Sequence, residues 1–303
     1  MKAFYSDHFV LPLPTGHRFP MEKYALLRNA VEALEEVQLV EAPAATDTQI
    51  LYAHDPAYLI KVIQGKLSAQ EQKDIGFPWS EQMVERSRRS AGATLAAAQA
   101  ALHDGLAANL AGGTHHAYRA RGSGFCVFND SVIAARTLQK EVSPHFRIAI
   151  IDLDVHQGNG TASILINDAS IFTCSLHGEN NFPFDKERSD LDIGLLDRCD
   201  DQTYLKALNG ALDQIDDRFK PNAIIYLAGA DPHEDDRLGR LNLSKEGMRC
   251  RDEAIFQYGF DRQVPIAFSM AGGYGKEILA TVDIHLQTIE TAARFQGLLR
   301  RKP

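Results

Sequence analysis

Four short apolar runs, RIAIID, SIFTCSL, NAIIYLAG and PIAFSMAG, recur along the chain, with a weaker fifth in AANLAGG. Their apolar residues follow one another without the alternation of a half-solvated strand, which predicts strands buried on both faces. Longer segments with helical periodicity lie between and around them: MEKYALLRNAVEALEE, SEQMVERSRRSAGATLAAAQAALHDG, SVIAARTLQKE, QTYLKALNGALDQIDDRF and the stretch after Ser244. In the second, Ser80 is placed to cap the start and Gly105 to stop the end. Doubly covered strands separated by helices predict an α/β chain with a central, mostly parallel sheet flanked by helices. No repeat, low-complexity segment or linker divides the 303 residues, so one domain over 1–303 is expected.

In parallel sheets of this kind, ligand sites lie beyond the carboxyl ends of the strands. Polar residues gather there. Thr114, His115 and His116 follow AANLAGG, Asp154 and His156 follow RIAIID, Asp231 follows NAIIYLAG, and Tyr274 follows PIAFSMAG. In Asp152-Leu153-Asp154-Val155-His156, an extended backbone would turn residues 152, 154 and 156 to one face. Two carboxylates and an imidazole suit a metal, and zinc takes both donor types while keeping a position open in catalytic sites. A structural polar network is the other reading of that segment. Asp231, after Ala228-Gly229-Ala230, is the third candidate ligand, although a helix cap or turn residue would look the same. The adjacent His115 and His116 follow a double glycine. Histidine titrates near neutrality and can move a proton between water and a leaving amine. Tyr274 in GGYG can donate to a developing oxyanion, or can be a packed residue in a glycine turn.

The formal net charge of -8, with no Lys/Arg block, argues against nucleic acid as a partner. No run of about 18 apolar residues predicts a membrane span, and the amino terminus lacks a signal-peptide core. Cys126, Cys174, Cys199 and Cys250 form no CxxC pair, so a reduced, cytoplasmic setting is expected. The acidic segments His233-Glu234-Asp235-Asp236 and Asp185 to Asp190 read as solvated loops, and Phe125, in GFCVF, reads by itself as core.

Taken together, AGGTHHA, GFCVFND (124–130), DLDVHQGNG (152–160), the Asp231 segment and GGY resemble the histone deacetylase family, in the family's order and from about Tyr5 to Lys276. HRFPM (17–21), QGNG and DRLG (236–239) are most similar to class IV members and their bacterial relatives. The resemblance implies the three-layer arginase/deacetylase fold. It implies Asp154, His156 and Asp231 as zinc ligands, His115 and His116 as the catalytic histidines, and Asp152 and Asn159 as their respective partners. Tyr274 becomes the phenol that polarises the substrate carbonyl. Gly124, Phe125, Phe182 and Gly273 become substrate-binding residues, with Phe125 and Phe182 forming opposite walls of an acyl-lysine channel. Asp152, Asp154, His156, Ser175 and Leu176 match a structural potassium site. Two departures stand out. Position 159 is Asn, as in class II and IV, where class I has Asp, and the segment DIGFPWS offers no clear match for the class I aspartate that clamps the substrate backbone.

The implied activity is zinc-dependent hydrolysis of acetyl-lysine or longer acyl-lysine in proteins, with His116 as general base. Acetylated polyamines or other small amides are the alternative substrates. An inactive acyl-lysine-binding module and a binuclear manganese hydrolase are the further readings. An Asp2His set also accepts iron or cobalt, and the sequence is silent on acyl length and oligomeric state.

Overall fold

The structure, a computed structural model, describes residues 1–299. Eight strands form one sheet: β1 (Lys2–Tyr5), β2 (Gln38–Glu41), β3 (Leu106–Asn109), β4 (Ile148–Asp152), β5 (Ile171–Gly178), β6 (Leu191–Leu195), β7 (Ala223–Leu227) and β8 (Ile266–Ser269). Their order is β2-β1-β3-β8-β7-β4-β5-β6, and every pairing is parallel. The sheet is therefore wholly parallel, as its doubly buried strands require.

Among the described residues, ten helices cover it. They are α1 (Glu22–Val31), α2 (Asp47–Ile50), α3 (Pro56–Ile63), α4 (Ala69–Ile75), α5 (Glu81–Asp104), α6 (Asp130–Glu141), α7 (Asn159–Leu165), α8 (Asp201–Arg218), α9 (Lys245–Arg262) and α10 (Ile278–Leu299). Side chains along β4 show how the layers form. Ile148 and Ile150 enter a core shared with α3, α5 and α6, while Ala149 and Ile151 enter a second core with α1, α8, α9 and α10. Each fully buried isoleucine contributes about 1.5–3 kcal/mol, and β4 is buried throughout.

Ser80 caps α5 by accepting from Met83 N, and Gly105 ends it with a positive φ of 88°. Ser244 likewise caps α9. The first helix is shorter than its periodicity predicts. The chain leaves it after Val31 through two turns, and Gln38 then donates to Met1 O at 2.8 Å to begin β2 beside β1. The strands β1, β2 and β6 were not legible as apolar runs. Two of them are sheet edges, where only part of each strand is covered. The long α10 was also not anticipated, because Lys276 and Glu277 before it carry no capping signal.

The four strands whose ends were expected to carry chemistry, β3, β8, β7 and β4, are consecutive in the sheet. Sheet order thus brings residues from four separate parts of the sequence to one rim.

Candidate metal centre and active site

Strand β4 stops at Asp152, and residues 154–156 form a bend rather than an extended continuation. The expected alternation of three side chains on one strand face is therefore corrected. Two successive turns produce the arrangement: Asp154 N donates to Asp152 Oδ1 at 3.2 Å, and His156 N donates to Asp154 Oδ1 at 2.9 Å. Asp side chains close such turns on backbone two residues ahead. As a result Asp152 faces backward to His115, while Asp154 and His156 face Asp231.

Asp154, His156 and Asp231 are all buried, with one ligand atom from each lying within 4.8 Å of the others. His156 Nδ1 is 3.0 Å from Asp154 Oδ1 and 3.3 Å from Asp231 Oδ2. Gly272 N holds Asp154 Oδ2 at 2.8 Å, and Val155 N holds Asp231 Oδ1 at 2.9 Å. Asp231 Oδ2 is buried with no well-aligned hydrogen bond, its nearest donor being His156 Nδ1 at 3.3 Å. A Cβ on Gly272 would lie 1.9 Å from that oxygen, so glycine is what permits the loop to close over the cluster.

The electrostatics fit a cation. Burial and the neighbouring Asp154 charge push Asp231 up to about 7. Burial opposes the charged form of His156, yet hydrogen bonds and charges from Asp154 and Asp231 prevail and raise it to about 10. Both shifts reflect the negative charge that the two buried carboxylates bring together. A divalent cation neutralises that charge with the ligands deprotonated, and a three-ligand N/O set suits zinc with an open position.

Both histidines of the predicted pair sit beside this cluster, each with its predicted partner. His115 Nδ1 meets Asp152 Oδ2 at 2.6 Å and His116 Nδ1 meets Asn159 Oδ1 at 2.7 Å. Burial works against charge on His115, but Asp152 and Asp154 outweigh it and raise its pKa to about 9. His116 goes the other way: burial, then the nearby His115 and His156, hold it well below its ordinary value. The Asn159 amide is oriented by its own contacts, since Nδ2 donates to the Tyr118 hydroxyl at 2.9 Å and Oδ1 accepts from Gly160 N at 3.0 Å. Asn159 Oδ1 therefore accepts from His116 Nδ1–H, which leaves Nε2 as a free base.

Sequence reasoning gave no role to the residues that set the histidine loop. Asp130, fully buried, accepts from Gly113 N and Thr114 N at 2.8 Å each and from the Thr94 hydroxyl at 2.7 Å. Asn129 caps α6 and donates Nδ2 to Ala117 O at 3.1 Å. The available signal was Asn-Asp at a helix start, directly after an aromatic run.

Tyr274 is half-buried and faces the same cavity of about 550 Å³ as the two histidines and the metal cluster. Burial keeps its phenol well above its ordinary pKa, so it stays a donor. Asp236 fixes the Tyr274 backbone, its Oδ2 accepting from Tyr274 N at 2.6 Å while Oδ1 accepts from Leu238 N and Gly239 N at 2.8 and 2.9 Å. The solvated-loop reading of 233–236 holds for the exposed Glu234 and Asp235 and is corrected for the other two: Asp236 is buried because it ties this loop to the Tyr274 loop, and His233 is buried where it pairs with Leu243. Lys23, also buried, donates to Ala271 O and Gly273 O at 3.4 and 3.3 Å from the other side.

Gly124, Phe125 and Phe182 all line the cavity. The Phe182 ring lies 4.9 Å from His116, edge to face, and Phe125 lies 6.0 Å from Tyr274. Phe125 adopts a positive φ of 66°, held by donation from its N to Ile75 O at 2.7 Å, an uncommon backbone state for a bulky residue. Gly273 does not line the cavity but packs behind it, where an added Cβ would meet Thr281 at 2.7 Å. Asp74, in the segment without a clear match, does line it. Ser175 stands opposite Asp152 in the β4–β5 register, with Leu176 next to it. All four cysteines are free, and burial pushes the Cys126 thiol far above its ordinary pKa. No described helix is long and apolar enough to cross a membrane.

A family profile described as "Histone deacetylase domain" matches residues 17–289. The chain is 42% identical over 293 residues to an uncharacterised protein of Picosynechococcus, covering 96% of this chain and 97% of that one. It is 31% identical to histone deacetylase 2 of Arabidopsis thaliana, over 89% of this chain and 71% of the relative. The acetoin utilization protein AcuC of Bacillus subtilis is 29% identical, over 89% and 74%. Among solved structures, a histone deacetylase homologue from Aquifex aeolicus superposes with a TM-score of 0.82 at 23% identity, over 96% of this chain and 83% of that one.

Proposed function

Since this chain belongs to the histone deacetylase family, whose members are hydrolases, we propose that it is a zinc-dependent deacylase. In this reading it releases acetate or a longer acid from N-ε-acyl-lysine, through a single catalytic domain over 1–303. The supporting observation is that one cavity joins the Asp154, His156 and Asp231 cluster to His115, His116 and Tyr274. When bound there, zinc supplies Lewis-acid polarisation of the amide carbonyl and activation of water near neutral pH.

The chain's own residues do the rest. His116, neutral and bonded through Nδ1–H to Asn159, takes the proton from the attacking water at Nε2. His115, held by Asp152 in its protonated form, stabilises negative charge and can return a proton to the leaving amine. The Tyr274 hydroxyl donates to the oxyanion. Phe125 and Phe182 flank the lysine methylenes and exclude water, while Gly124 packs against His116, where a Cβ would lie 2.6 Å from its ring. Iron or cobalt would satisfy the same ligands. A structural potassium fits where the ends of β4 and β5 meet, around Asp152, Asp154, His156, Ser175 and Leu176.

The test is a panel of acetyl-lysine peptides, longer acyl-lysine peptides and acetylated polyamines, on protein of measured metal content, with Tyr274→Phe alongside. The proposal expects acyl-lysine turnover that falls ~10²–10³-fold in Tyr274→Phe with metal retained. Near-normal turnover in that variant would sink the assignment of Tyr274, and turnover of polyamines alone would replace the substrate.

A further inference from the structure

The chain as a whole is acidic, with a formal net charge of -8, yet the mouth of the catalytic cavity is not. Among the described residues, the exposed Arg18, Arg121 and Arg240 line it with a single carboxylate outside the metal cluster, Asp74; a fourth lining arginine, Arg86, is buried and spent on Ser6 O and Phe9 O. Each guanidinium is carried by an element that also builds the site. Arg18 lies 5.0 Å above the Phe125 ring. Arg121 lies 4.1 Å above Tyr118, whose hydroxyl accepts from Asn159. Arg240 N donates to Asn181 Oδ1 at 3.2 Å, beside Phe182.

Their charges are unequally answered. Arg240 is 3.4 Å from Asp197, which offsets part of its charge. Neither Arg18 nor Arg121 forms an ion pair with a carboxylate among the described residues. Asp74 is engaged by the Gln70 amide at 2.6 Å. Glu187 acts on the Tyr118 phenol but does not line the cavity. An entering chain therefore meets two unpaired guanidinium groups stacked on aromatic rings, where they remain free to bind carboxylate or phosphate oxygens.

Building on the deacylase reading above, we propose that Arg18 and Arg121 select substrates in which the acylated lysine is flanked by anionic groups, and disfavour polycationic chains. Acidic segments of proteins fit this rim; basic tails and acetylated polyamines, with ammonium groups on either side of the amide, do not.

The test uses three peptides that differ only in the residues flanking one acetyl-lysine: glutamate, glutamine or lysine on both sides. Affinity is read by fluorescence anisotropy on metal-loaded protein, and turnover separately as kcat/KM. Glutamate over glutamine over lysine is expected in both, with roughly a tenfold spread at low salt that shrinks as salt screens the rim. The ratio between glutamate and lysine peptides should collapse toward one in Arg18→Gln/Arg121→Gln and be retained in Arg18→Lys/Arg121→Lys. Equal affinities for the three peptides, or a preference for the lysine-flanked one, would overturn the proposal, even if all were deacetylated. The expected order of affinities without any turnover would uphold the rim and remove the deacylase reading instead.

Discussion

Asp236→Asn tests how the fold holds its oxyanion donor. The Asp236 carboxylate accepts three backbone N–H groups, from Tyr274, Leu238 and Gly239, between 2.6 and 2.9 Å. An amide keeps one acceptor oxygen. If that oxygen stays with Leu238 and Gly239, the new N–H2 points at Tyr274 N, and donor faces donor. Each lost bond to a charged acceptor is worth about 1.5–3 kcal/mol, so a loss of about 2–3 kcal/mol in stability is expected, readable in a urea melt. The larger effect falls on geometry. A shift of ~1 Å in a catalytic group can cost ~10²-fold in rate, so kcat should drop ~10–100-fold, with KM and metal content little changed. The control is the same substitution made in a Tyr274→Phe background. With the hydroxyl already gone, displacing its carrier should reduce kcat/KM by less than about threefold. An equal factor in both backgrounds would refute the positioning role, because Asp236 would then be acting on the fold or on another part of the site.

Gly272→Ala should weaken metal binding by at least ~10-fold, measured by competition with a chelator, since the new methyl would stand 1.9 Å from Asp231 Oδ2. His54 should make the protein acid-sensitive. It is buried, accepts from Asn129 N at 2.8 Å, and burial lowers its pKa to about 4 from 6.5. Because the folded state resists the proton, this contribution is intact above pH 6.5 and is lost as pH falls from 6.5 toward 4, amounting to roughly 2–3 kcal/mol by pH 4.5. His54→Gln should flatten that part of the pH profile of unfolding free energy; an unchanged slope would exclude His54 as its source.

Much of the site could be read from the sequence because the parallel sheet exports its chemistry to strand ends, and the strands that do so are the continuous apolar ones. His115, His116, Asp154, His156, Asp231 and Tyr274 all follow such runs, and sheet order makes them neighbours. What escaped reading was whatever depends on backbone contacts between loops. The bend after Asp152 replaces the extended strand that alternation suggested. Asp236 looks like one more residue of an acidic surface loop until its three N–H partners are known, and Lys23 looks like a solvated helix residue although it is buried beneath the Tyr274 loop. Gly273 comes to the substrate-binding set through the family resemblance alone; a Cβ added there would point toward Thr281, Ala230 and His285. Edge strands escaped for a related reason: half-covered segments such as β6 lack an apolar run.

The central claim is that Asp154, His156 and Asp231 hold one metal on which acyl-lysine hydrolysis depends. It is tested most directly by stripping the protein with a chelator and titrating zinc back while following deacetylation of an acetyl-lysine peptide. Activity should be absent from the stripped protein, rise linearly to one equivalent per chain, and fail to return in Asp231→Ala. Full activity in the stripped protein, a break at two equivalents, or recovery in Asp231→Ala would contradict the account.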